Sequence, residues 1–305
     1  MPRLGLAAVS AAAVLWAAGA TVASHLFDRG ASPLQLTAAR AWVGALGVGA
    51  IVLARRSARA APARTNKLAI IPFGLSIAAA NYFYYSAIDR LPVAIAIVIQ
   101  YTAPGLVVLW ASFAQRRRPS RLVVGALGLA FLGVALLAEL PLAVARGGLR
   151  LDGLGVGFAV GSAIAFAVYV LTGERLGPAL GADRTMARGF AVAGAFWLAV
   201  LVTQGRPDTL LEPSFLPGIA FVTVGATIAP FLLFLWGLGR VGAPRAGIIS
   251  TLEPVAAAVL AFAFLGQGLS GWQLAGGVLV VVGIGVVQAE RPQAPEVLAG
   301  SAAVE

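Results

Sequence analysis

Thr251-Leu252-Glu253-Pro254 lies inside an apolar run over residues 243–265 in which Glu253 is the only acid. A charged side chain at membrane depth costs about 2.5–3.5 kcal/mol on insertion scales unless it faces a cavity or a partner. The proline that follows has no N–H. It frees a carbonyl about one turn back, near Ser250, and loosens the helix there. A charge beside a broken backbone hydrogen bond is how many transporters build a solute site. The competing reading puts Glu253 near a helix end, where it snorkels or pairs with an arginine.

The rest of the chain is as apolar as that run. Of 305 residues, 60% are hydrophobic and 11% charged, and the mean hydropathy is +0.91. No soluble domain of this size has that composition, so the expected class is an all-α polytopic membrane protein with the lipid bilayer as its surroundings. The net charge of +10 does not indicate a nucleic-acid partner, because the basic residues sit in short loops between apolar runs. Cysteine is absent, which excludes disulfides, thiol catalysis and thiolate metal sites. The lone histidine, His25, cannot form a histidine-rich metal site, and neither metal nor cofactor is expected. The stretch 4–23 has the outline of a signal peptide. Only Arg3 flanks it and many apolar runs follow, so it reads as the first membrane helix. The Pro/Ala/Glu-rich stretch 292–305 is expected to be a disordered cytoplasmic tail.

A bilayer core takes about 20 apolar residues per helix. Ten such stretches can be marked: 4–25, 33–54, 67–88, 92–114, 120–140, 151–172, 185–203, 215–238, 243–265 and 272–288. Orientation follows from Lys and Arg. With the N-terminus inside, the inner segments carry Arg3, Arg55, Arg56, Arg59, Arg64, Lys67, Arg116, Arg117, Arg118, Arg121, Arg175, Arg184, Arg240, Arg245 and Arg291. The outer loops carry only Arg29, Arg90, Arg146, Arg150 and Arg206. Both termini are therefore expected in the cytoplasm.

The chain also repeats. Shifted by 150, Asp89-Arg90-Leu91-Pro92 lies over Gly239-Arg240-Val241-Gly242, Pro104 over Pro254, Ser120 over Ser270 and Gly133 over Gly283. A slightly smaller shift lays Ala39-Arg40 over Ala187-Arg188. Five helices per half is an odd number, so the second half starts on the opposite side of the membrane. The expected division is 1–146 for the first five-helix repeat, 147–291 for the second, inverted one, and 292–305 for the tail.

These features resemble the drug/metabolite transporter superfamily, in its EamA-type branch. The stretches that carry the resemblance are Ser32-Pro33 with Ala39-Arg40, Tyr101 to Pro104, Leu252-Glu253-Pro254-Val255, Leu265-Gly266-Gln267, and the glycines from Gly276-Gly277 to Gly283. In the family the acid-proline pair is often followed by a glycine-acid turn. Here that turn is Gly266-Gln267, which leaves a second acid without a residue. The resemblance implies a bacterial inner-membrane exporter whose solutes include amino acids, nucleosides, sugars and drugs. The size and the aromatic-rich third helix are similar to the aromatic amino-acid exporters of that branch.

Nine residues are candidates for the solute site. The third helix holds Asn81-Tyr82-Phe83-Tyr84-Tyr85, and tyrosine offers both a ring face and a hydroxyl. Asn81 and Tyr85 share a helical face, while Tyr82 projects about 100° from Asn81. Asn81 and Tyr82 lie too deep for an interfacial aromatic belt, whereas Tyr84 and Tyr85 also suit one. Gln100 and Tyr101 precede Pro104, the repeat counterpart of Ser250 before Pro254. Two matched proline breaks with polar neighbours point to a central site with Glu253. Trp16 and Tyr169 complete the set. Arg40 and Arg188 occupy matched places, and their repetition favours a structural role, by snorkelling or by tying helix ends, over solute contact.

The function expected is secondary transport of a small organic solute by alternating access, most readily an aromatic or neutral amino acid. Glu253 would hold a proton or an ammonium group. The chain has no Walker loop, so ATP is not the direct energy source. An intramembrane enzyme needs a clustered acid/base or metal set that this sequence lacks, and no enzymatic activity is expected. A passive facilitator or uniporter, or an exporter of nucleosides, sugars or cationic compounds, remains the alternative. The glycine-rich fifth and tenth helices suit close packing through Gly125, Gly128, Gly276 and Gly283, and the protein is expected as a monomer or a weak homodimer.

Overall fold

The computed structural model describes residues 2–54, 67–91, 93–116, 118–145, 152–204, 214–266 and 268–289. It is helical throughout, with no strand among the described residues. The helices in order are α1 (Pro2–Asp28), α2 (Pro33–Ala54), α3 (Ile70–Ile88), α4 (Val93–Gln100), α5 (Ala103–Gln115), α6 (Arg121–Leu137) and α7 (Leu140–Ala145). They continue with α8 (Gly153–Leu180), α9 (Ala182–Gln204), α10 (Leu216–Ala220), α11 (Ala229–Val241), α12 (Ala243–Ser250), α13 (Leu252–Leu265) and α14 (Gly271–Ala289). A π-helical segment, Phe221–Ile228, joins α10 to α11.

Eight helical stretches among the described residues are long and apolar enough to cross a membrane. The third and fifth expected crossings are not among them, and α6 is the shorter of these, an apolar helix of 17 residues. Large apolar side chains such as Leu46, Leu53, Leu109, Phe113 and Phe264 point outward, at 67–80% exposure. Water would not tolerate so large an apolar surface, and lipid does.

Three expected helices are interrupted. The fourth breaks at Tyr101-Thr102, between α4 and α5, and the ninth breaks at Thr251, between α12 and α13. Each break falls three residues before its proline, Pro104 or Pro254, because the missing N–H leaves the carbonyl four residues earlier without its helical donor. The eighth changes register in its π-helical segment, and Pro230 ends that stretch in the same way. The sixth helix runs on to Leu180, past its expected end at residue 172. The expected tail, 292–305, lies outside the described residues, as does Gln267.

Helix ends are tied by side chains. Ser120 Oγ accepts from Val123 N at 3.2 Å, and Ser270 and Gln273 form a reciprocal capping box at 3.0 and 3.2 Å. Asp152 Oδ1 accepts from Leu154 N at 3.2 Å, and its other oxygen meets Arg90 at 3.4 Å. Glu174, on α8, reaches across to accept from Ala243 N at the first turn of α12, at 2.6 Å. A carboxylate there complements the positive end of the helix dipole.

The bundle packs in pairs: α6 on α14, α3 on α8 and α9, α1 on α11 and α13, and α2 on α9 and the π-helical segment. The α6–α14 pair packs backbone to backbone. A methyl on Gly276 would lie 2.5 Å from the Gly133 carbonyl oxygen, and one on Gly283 would lie 2.9 Å from the Ala126 carbonyl oxygen. Gly125 and Gly128, expected to share in such packing, instead face open space.

This contrast gives a stability test. Gly276→Ala forces overpacking worth about 1–3 kcal/mol and should lower the midpoint of thermal unfolding in detergent. Gly125→Ala should leave that midpoint unchanged or raise it.

Candidate functional site

The two broken helices meet at their breaks. Gly247 of α12 rests on Pro104 of α5, where an added methyl would be 3.4 Å away. The Tyr101 hydroxyl donates to Glu253 Oε2 at 2.9 Å and lies 3.5 Å from the Ser250 carbonyl that Pro254 leaves without a helical donor. Glu253 is therefore held from the opposite broken helix rather than from its own.

Arg40 projects from α2 into the protein and is buried. Its Nε donates to Thr227 Oγ1 at 2.8 Å and one Nη to the Ala226 carbonyl at 3.2 Å. The other Nη donates to Asn81 Oδ1 at 2.9 Å and to the Tyr85 hydroxyl. Pro230 denies the Ala226 carbonyl an i+4 donor, so the same device that exposes Ser250's carbonyl to Tyr101 exposes this one to Arg40. A guanidinium has five N–H donors, and four are used. Asn81 is steadied in turn by donating to Ile77 O at 3.0 Å.

Arg40 and Glu253 both line one cavity of about 70 Å³, together with Trp16, Asn81, Tyr84, Tyr85, Gln100, Phe166, Tyr169 and Phe231 among others. The wall thus carries a cation, a carboxylate and a ring of aromatics. Trp16 packs edge-on against Phe231 at 5.3 Å, and Tyr169 stacks on Phe73 at 5.3 Å and on Phe234 at 5.6 Å. Trp16 Nε1, Gln100 Oε1 and Tyr169 Oη are buried without a hydrogen-bond partner among the described residues. Each such group costs about 1–3 kcal/mol. Two donors and one acceptor in the lining of one cavity are thus left with unused hydrogen-bonding capacity. Among the described residues no cluster of three His, Asp or Glu side chains could hold a metal ion.

Of the nine expected residues, Trp16, Asn81, Tyr85, Gln100, Tyr169 and Glu253 line this cavity, and Tyr101 touches it through Glu253. Ser250 does not line it. Its hydroxyl is buried and turned back to Gly247 O at 2.6 Å, so its carbonyl alone serves the site. Tyr82 is also displaced: it packs against Trp197 at 5.2 Å and Phe158 at 6.3 Å, on another face of α3. Tyr84, read as belonging equally well to an interfacial belt, takes its place because Asn81, Tyr84 and Tyr85 stand three and four residues apart. The matched arginines part company. Arg40 is buried, ties α2 to α3 and to the π-helical segment, and also lines the cavity, while Arg188 is exposed.

The sequence profile of the EamA-like transporter family matches residues 3–138 and again residues 153–288. The chain belongs to this family and is a multi-pass membrane protein that moves a small solute. It is 32% identical over 259 residues to the threonine/homoserine exporter RhtA of Salmonella typhimurium strain SL1344, covering 84% of this chain and 81% of the relative. To RhtA of Escherichia coli K12 it is 30% identical over 256 residues, with the same coverage. It is 28% identical over 283 residues to the transporter YwfM of Bacillus subtilis, covering 91% of each. A solved crystal structure superposes with a TM-score of 0.73 at 22% identity, covering 93% of this chain and 96% of the other, which establishes the fold alone.

Replacing Arg40 with leucine should strand its buried neutral acceptors, at about 1–3 kcal/mol for each one left without a partner. Arg188→Leu, on the exposed mate, should stay within about 0.5 kcal/mol. Unfolding midpoints of the two variants in one detergent decide the matter, and equal losses would contradict it.

Proposed function

We propose that this protein exports a small zwitterionic amino acid across the bacterial plasma membrane. The observation that carries this is the cavity's two-signed lining, with Arg40 and Glu253 on one enclosed space. The remaining N–H of Arg40 suits the solute carboxylate. Glu253, tied only through Oε2, suits the ammonium group. Trp16 N–H, Tyr169 O–H and Gln100 Oε1 are left for a polar side chain. The exporters named above carry threonine and homoserine, whose short hydroxylated side chains suit those three groups better than an indole does. The preference moves accordingly from aromatic to small neutral amino acids.

The mechanism we propose is alternating access between two inverted five-helix repeats, 1–146 and 147–291. Contacts that map onto each other at a shift of 150 support the two-fold relation. A methyl on Gly5 would meet Arg240 and Val241, and one on Gly155 would meet Arg90 and Leu91. The Gly133–Gly276 contact maps likewise onto Gly283–Ala126. The twofold match to the family profile points the same way. With ten crossings, α3 and α6 being the two outside the eight, the excess of inner arginines favours both termini in the cytoplasm.

Counterflow in proteoliposomes is the test. Vesicles loaded with unlabelled threonine should take up labelled threonine saturably. In Glu253→Gln, losing one charged hydrogen bond of about 1.5–3 kcal/mol should cut that uptake about tenfold or more while the protein elutes as wild type. Flux without counterflow would make the protein a channel. No exchange of threonine, homoserine or any aromatic amino acid by folded protein would overturn the amino-acid reading and favour nucleosides, sugars or cationic compounds. Orientation has its own check: a cysteine at Gln115 should react only with reagents inside the cell, and labelling from outside would reverse the topology.

A further inference from the structure

We infer that the groove between α5 and α8 is a binding site for one anionic phospholipid of the cytoplasmic leaflet. The groove has a volume of about 670 Å³ and opens on the outer face of the bundle, away from the solute cavity. Its walls include Leu109, Trp110 and Phe113 of α5 and Ile164 and Leu171 of α8, and Arg175 lies at one end. Leu109, Trp110, Phe113 and Ile164 are all exposed. From Ile164 to Arg175 the helix advances about 16 Å at 1.5 Å per residue. That is about half of a 30 Å hydrocarbon core, the depth of one leaflet.

The charges select the headgroup. Arg175 is exposed and makes no hydrogen bond or ion pair among the described residues. Phe113 lies three residues before Arg116, which is exposed at the end of α5, with Arg118 exposed just beyond. An unpartnered guanidinium beside a slot long enough for an acyl chain is a phosphate site with a tail binding site attached. Basic pockets between membrane helices on the cytoplasmic side take anionic headgroups in this way. A zwitterionic headgroup would bring its own cation toward the same arginines and gain less. The leaflet rests on the orientation proposed above; the lipid chemistry does not.

Trp110 lies in the groove and makes the test direct. The purified full chain is reconstituted in phosphatidylcholine vesicles containing a minor fraction of phosphatidylglycerol with brominated acyl chains, which quench tryptophan on contact. Subtracting the signal of Trp110→Phe isolates Trp110. Its quenching should correspond to about fivefold enrichment over equally brominated phosphatidylcholine, the factor for one arginine at an anionic headgroup. In Arg175→Gln it should fall to the phosphatidylcholine level, while the other tryptophans, read in Arg175→Gln combined with Trp110→Phe, remain quenched as before. Equal quenching by the two lipids in wild type, or no response to Arg175→Gln, would overturn the proposal. The readout requires no transport, so its failure and failure of the solute reading are separate results.

Discussion

A guanidinium placed among membrane helices must find acceptors inside the protein, because lipid offers none. Arg40 meets that demand with four groups from two places: Asn81 and Tyr85 on α3, and Thr227 and the Ala226 carbonyl on the π-helical segment. One side chain from α2 thereby fixes the rotation of α3 and ties the first half of the chain to the second. Asn81 and Tyr85, both bonded to Arg40, line the cavity beside it. Glu253, of opposite charge, lines the same cavity.

Proline supplies acceptors that such a site needs without adding polar side chains. Pro230 and Pro254 each release a carbonyl four residues back, and each of these carbonyls faces a side chain from another helix, Arg40 or Tyr101. Pro104 breaks the fourth helix beside Gln100 and Tyr101, and Gly247 lets the ninth helix lie against that break. The interruptions are therefore part of the site's construction and not only bends that help helices pack.

Much of this was legible in the sequence, and the failures have a common cause. Glu253, Pro254, Tyr101 and Pro104 were readable because an acid in an apolar run and a proline in a helix carry local penalties that need no partner to be recognised. The capping residues Ser120 and Ser270 were legible as a matched pair for similar reasons. The facing of Tyr82 and Tyr84 was not. Helix α3 is apolar or aromatic all round, so its pattern gives no rotational phase, and a shift of one residue turns a side chain by about 100°. Arg40 and Arg188 look alike for the same reason: sequence spacing matches them, while only the surrounding helices decide which one turns inward. The glycines divided likewise, Gly276 and Gly283 facing a neighbour and Gly125 and Gly128 facing outward, on helices whose composition is uniform. The π-helical segment has no sequence mark beyond Pro230.

The bond from Glu174 to the first turn of α12 has a consequence for timing. It joins the ends of two helices whose middle stretches line or brace the cavity, and it lies far from Arg40 and Glu253 along the bundle. Any motion that parts those ends must break this charge-assisted contact, whether or not the cavity is filled. Its strength therefore adds to the height of the barrier and not to the depth of the solute well. In the alternating-access cycle proposed above, affinity and dwell time would then be set by different residues, and selection could tune how long the protein rests in one facing without altering what it recognises.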